Sequence, residues 1–167
     1  TALELGGNGV TIVTGDADFA AAAGLCARNA MRLAGQSCIS VQTVFVDQSL
    51  FRPFVETLTT NVKALVLGDP LEEATDVGTL IDEDAAVRVE DWVAEAVRAG
   101  ARVHTGGERH GAAYVPTILT GVRSDMRVVC DEVFGPVVSV LPFDALDEPI
   151  GFVNRSRFGL QCGVFTR

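Results

Sequence analysis

Apolar positions along the chain switch between two periods, and each switch predicts an element. Val10, Ile12 and Val13 form a short β-branched run that predicts a strand over 10–13. Asp16 then offers an N-cap, and Phe19, Ala23, Cys26, Ala30 and Leu33 repeat at helical spacing. With alanines on its other faces this helix is expected to be buried almost all round. Gly35, free to adopt positive φ, should end it. A strand follows over 41–46. Ser49 can cap a second helix, in which Phe51, Phe54, Val55, Leu58 and Val62 make one apolar face. Gly, Pro and acidic residues over 68–79 predict a loop. A helix is expected over 84–99, with Ala86, Val89, Val93 and Val97 as its buried stripe and Gly100 as its stop. Strands over 102–104, 114–119, 137–141 and 160–165, a Gly106-Gly107 turn and a short helix over 148–154 complete the reading. Strands alternating with helices imply an α/β fold: a layered, largely parallel sheet with helices on both faces.

The chain has 167 residues, 48% of them hydrophobic, enough to bury one sizeable core as a single domain. A net charge of -9 leaves no basic face for phosphates, so a nucleic-acid partner is not expected. Apolar runs stop well short of the roughly 20 residues that span a bilayer, and no basic-then-apolar leader opens the chain. A cytoplasmic protein without membrane contact is expected. Cys26, Cys38, Cys130 and Cys162 lack C-x-x-C spacing, which argues against a zinc site or a disulfide scaffold and for reduced thiols. His104 and His110 are not set with acids at metal-ligand spacing, so no metal is expected. Cys26, Cys130 and Cys162 read as packed core residues. Asn154 reads as a turn or cap.

Three short segments carry candidate chemistry. Cys38 lies in Gly35-Gln36-Ser37-Cys38, where backbone N–H groups can approach its sulfur. A free thiol, near pKa 8.5, is mostly protonated at neutral pH, so a nucleophilic cysteine needs such donors. Glu4 lies in Leu3-Glu4-Leu5-Gly6-Gly7-Asn8, beside a glycine pair that permits close backbone approach. The third segment is Asp131-Glu132-Val133-Phe134-Gly135-Pro136-Val137.

Taken together and in this order, the segments resemble the aldehyde dehydrogenase superfamily. The likeness covers essentially the whole chain, including Gly68-Asp69-Pro70, Pro116-Thr117-Ile118-Leu119 and Phe158-Gly159-Leu160. It implies the family's catalytic domain over 1–167, and NAD or NADP as cofactor. Cys38 is then the nucleophile that attacks a small-molecule aldehyde and passes through a thiohemiacetal and a thioester. Its own N–H would be one oxyanion donor. Glu4 is implied as the base for the hydrolytic water, a task that suits a partly buried carboxylate. Glu132 and Phe134 are implied to meet the nicotinamide end of the cofactor, with Leu5 and Gly6 beside them. No G-x-G-x-x-G or G-x-x-x-x-G-K-[ST] loop is present, so the adenine half is expected to bind elsewhere. The resemblance also implies a longer enzyme, a homodimer or homotetramer, with a nucleotide-binding domain and an oligomerisation segment absent from 1–167. Two other readings stay open: a truncated structural or assembly module of the same fold, inactive in isolation, and an unrelated thiol acyltransferase, for which no histidine base lies near Cys38.

Overall fold

The computed structural model describes residues 1–167. In chain order the elements are β1 (Gly9–Val13), α1 (Phe19–Met31) with a 3-10 turn (Arg32–Gly35), β2 (Val41–Asp47), α2 (Phe51–Lys63), α3 (Glu83–Arg98), β3 (Arg102–Thr105), β4 (Arg109–His110), β5 (Ala113–Tyr114), β6 (Thr117–Thr120), α4 (Arg127–Cys130), β7 (Val137–Phe143), α5 (Asp147–Arg155) and β8 (Cys162–Phe165). Six strands form one sheet in the order β3-β6-β7-β2-β1-β8. All its pairs are parallel except β3 with β6. Parallel strands covered on both faces need apolar residues at consecutive positions, and β1 is buried at every one of its residues.

The larger core lies where α1 and α2 pack on one face of the sheet, through Ala23, Cys26, Phe54, Leu58 and Val44. On the opposite face Val10, Ile12, Phe45 and Phe143 receive α5, whose Phe152 ring lies 5.1 Å from that of Phe45. Helices therefore cover both faces. The β4–β5 hairpin docks on α3, where Arg109 bridges Glu83 at 2.7 Å and Glu90 at 2.8 Å. No helix is long and apolar enough to cross a membrane.

Several elements depart from the sequence reading. The cap of α1 is Asp18, not Asp16: its carboxylate accepts the N–H groups of Ala20 and Ala21. Asp16 is drawn away to the far end of the sheet, where it accepts from Thr14, Thr166 and the Arg167 N–H. α1 is one-sided, with Ala20, Ala21 and Leu25 exposed, because alanine suits either environment and its composition does not choose a face. Leu33 is 62% exposed, since the chain leaves the α-helix at Met31 and turns through positive φ at Leu33, Ala34 and Gly35. Ser49 caps nothing; its N–H and hydroxyl both donate to Asp47, and α2 begins without a side-chain cap. In α3 the last buried position is Ala96, with Val97 exposed. The single strand expected over 114–119 is broken at Val115-Pro116, where proline removes a ladder donor. Cys162 is exposed rather than packed, because β8 is an edge strand, and Cys130 is only partly covered.

Candidate active site

The segments before β1, β2 and β7 all lie at the N-terminal ends of adjacent parallel strands, so one edge of the sheet gathers them. Open α/β sheets usually bind ligands at the carboxyl ends of their strands; here the candidate site lies at the opposite edge. A cleft of about 450 Å³ is lined there by Glu4, Leu5, Gly6, Gln36, Ser37, Cys38, Glu132 and Phe134. All six residues singled out from the sequence are among them.

Cys38 occupies a β-turn closed by the Ser40 N–H donating to the Ser37 carbonyl at 2.9 Å. The Ser40 hydroxyl anchors that turn on the last carbonyls of α1, those of Asn29 and Ala30, both at 3.2 Å. No acceptor within the chain takes the N–H of Ser37 or Cys38, which leaves two backbone donors beside the thiol. Gln36 steadies the turn from the other side: its amide donates to Leu33 and Thr79 carbonyls and accepts the Ile81 N–H at 2.8 Å.

Glycines set how closely the segments approach. Gly35 has φ +72°, and a Cβ on it would overlap the Gly135 carbonyl, so the cysteine loop lies directly on the Glu132–Phe134 loop. A Cβ on Gly7 would overlap the Cys38 carbonyl. The close approach of the glycine pair is therefore made in part to the protein's own backbone. The Gly7 N–H donates to Glu132 Oε1 at 2.8 Å, and a Cβ on Gly6 would stand 2.8 Å from Glu132 Oε2.

Glu4 and Leu5 are exposed, so the partial burial expected around Glu4 is not supplied by this chain. Phe134 is 41% exposed and sits at φ 48°, a conformation that bulky residues rarely adopt and that cleft geometry often demands. Arg88 on α3 stacks 5.0 Å from the Trp92 ring; burial lowers its pKa, and the nearby Glu132 charge acts in the opposite sense. Burial pushes the Cys26 thiol up to about 12 and also raises Cys130 and Cys162. His104 bonds Thr120 at 2.8 Å, and both histidines lie outside the cleft lining.

Glu132 Oε2 takes no donor from the chain, and the exposed Phe134 ring stands at the same cleft. An acceptor carboxylate beside an aromatic face fits the hydroxyls and flat ring of a ribose-linked nicotinamide. The sequence predicts close backbone approach at the Gly6-Gly7 pair but gives no role to Asn8 and Gln42, which hold the site from behind. Asn8 donates to the Val129 carbonyl and accepts the Thr43 hydroxyl, and Gln42 spans the Asp131–Val133 backbone. For Gln42 the available signal was an amide in a β-branched, apolar-rich strand, on the face it shares with Val44 and Val46.

Comparison with known proteins places the chain among similar sequences and structures. The family described as "Aldehyde dehydrogenase family" matches residues 1–167. The 3-sulfolactaldehyde dehydrogenase of Priestia megaterium is 49% identical over 164 residues, 98% of this chain and 34% of that protein. The crystal structure of an NAD-dependent aldehyde dehydrogenase from Sinorhizobium meliloti superimposes with a TM-score of 0.94 at 39% identity, over 98% of this chain and 33% of that one. That of an NADP-dependent glyceraldehyde-3-phosphate dehydrogenase from Bacillus halodurans, complexed with NADP, gives 0.95 at 34% identity, over 99% and 34%. The chain spans about a third of the length of the curated relatives it matches.

Proposed function

The chain belongs to the aldehyde dehydrogenase family, and from that premise we propose that residues 1–167 form the catalytic domain of an enzyme oxidising a small aldehyde to a carboxylate with NAD or NADP. The supporting observation is one cleft that joins a thiol, a carboxylate and a carboxylate–aromatic pair from three separate segments. The Cys38 thiolate attacks the carbonyl carbon, and the oxygen that becomes negative is met by the backbone N–H of Cys38, which has no other acceptor in the chain. The nicotinamide, when bound, supplies the hydride acceptor. Glu4 takes a proton from the water that then attacks the Cys38 thioester, releasing the carboxylate and restoring the thiol. Glu132 accepts ribose hydroxyls, Phe134 packs against the nicotinamide end, and Leu5 and Gly6 border it.

The remaining length of the relatives is where we place the domain for the adenine half and the segment that makes a homodimer or homotetramer. Relatives named for 3-sulfolactaldehyde and lactaldehyde favour a short-chain aldehyde as substrate. Reduced cysteines suit a cytoplasmic enzyme.

The test is made on the full-length enzyme. Iodoacetamide labelling resolved by mass spectrometry should find Cys38 first, because two backbone N–H groups without a partner in the chain stand beside its sulfur, whereas Cys26 is buried and partial desolvation raises the Cys130 and Cys162 thiols. Glu4→Gln should leave the acylation burst and suppress turnover by at least about a hundredfold. Labelling no faster at Cys38 than at Cys130, or normal turnover in E4Q, would remove the assignment.

A further inference from the structure

We propose that Gln42 is a positioning residue for Glu132, an inference that rests on the dehydrogenase reading of the cleft. Gln42 is the second residue of β2 and is only 6% exposed, a primary amide inside a strand whose neighbours Val41, Val44 and Val46 are aliphatic. A buried amide in that setting is costly unless all its groups are used. Both ends are used on one target. Oε1 accepts the Val133 N–H at 3.0 Å, and Nε2 donates to the Asp131 carbonyl.

Those two backbone groups belong to the peptide units on either side of the Glu132 Cα. Holding both planes fixes φ and ψ of Glu132 together, and so the direction in which its side chain leaves the backbone. The carboxylate then reaches the Gly7 N–H with Oε1 and presents Oε2 to the cleft. The same clamp fixes the chain just before Phe134, whose left-handed conformation at φ 48° needs its surroundings to hold it. Only a side chain with a donor and an acceptor at this reach can do this. Methionine has the length without the polar groups, asparagine has the groups but is one methylene short, and glutamate gains the donor only when protonated.

Cofactor binding is therefore expected to depend on a residue that does not line the cleft. In the full-length enzyme, Gln42→Met should raise the dissociation constant for NAD or NADP, measured by calorimetry, by roughly tenfold, the scale of two modest hydrogen bonds. Amide hydrogen exchange at Val133 should accelerate in the same variant. Gln42→Glu is the second variant: its cofactor affinity should approach that of the parent as pH falls and the new carboxyl gains its proton, and weaken as pH rises, a dependence the parent lacks. Glu132→Gln serves as the reference. An unchanged dissociation constant in Q42M, with binding weakened in E132Q, would overturn the clamp and leave the cofactor reading standing. Unchanged binding in E132Q as well would overturn the assignment of Glu132, and the clamp with it.

Discussion

Gly7 has its place because its neighbours leave no room for a side chain. Its N–H reaches Glu132 while its Cα lies against the Cys38 carbonyl, so one residue ties the carboxylate arm, the cysteine turn and the Glu132 loop together. Gly7→Ala forces these apart. The expected cost is about 1–3 kcal/mol, typical of overpacking against backbone, measured by urea unfolding, together with slower labelling of Cys38. A variant with parental stability and parental labelling would show that the approach is not needed. Cys38, Glu4, Glu132 and Phe134 were legible in the sequence as candidates because each sits in a short, dense motif, and the fold brings all four to one cleft. The close approach at Gly7 was legible too, but its partners, Glu132 and the Cys38 carbonyl, were not, and Gln42 was not legible at all, because what it does depends on the Asp131–Val133 backbone far along the chain.

At the scale of elements, helix and strand identities followed from periodicity, whereas their ends depended on hydrogen bonds that periodicity does not see. Asp16 and Asp18 are two residues apart and equally suited to capping; the turn made by the Ala17 N–H on the Thr14 carbonyl starts α1 late and gives the cap to Asp18. Asp16 instead holds the end of β8, and its pKa is lowered from the usual aspartate value, first by the Thr14 hydroxyl and next by the Arg167 N–H. A carboxyl depressed in the folded state stabilises at neutral pH, and that contribution is lost as pH falls through the lowered value. Amide exchange at Phe165 and Arg167 should therefore quicken, after correction for intrinsic rates, below about pH 4. Asp16→Asn should show the faster exchange already at pH 7. Equal protection in D16N and the parent at pH 7 would exclude this tether. The break of the expected strand at Val115-Pro116 has the same origin: apolar residues continue across it, but the missing N–H divides them between a hairpin on α3 and the main sheet.

Across the whole molecule, sheet order decides both the site and the exposed edges. β8 leaves one side unpaired, with Val164 57% exposed, and unpaired strand edges favour association. Val164→Lys should reduce self-association of the 167-residue chain by several-fold in sedimentation velocity, an effect expected from edge charge; equal association in both would clear the edge of that role. Sequence alone determined the α/β class, the main helices, the expected parallel sheet and the residues able to do chemistry, because those depend on local spacing and side-chain type. Tertiary structure alone decided that the sheet runs β7-β2-β1, so that three loops distant in sequence open at the same N-terminal edge. It also decided which buried amides hold those loops, since a hydrogen bond across some ninety residues is set by strand order and register, neither of which local spacing specifies.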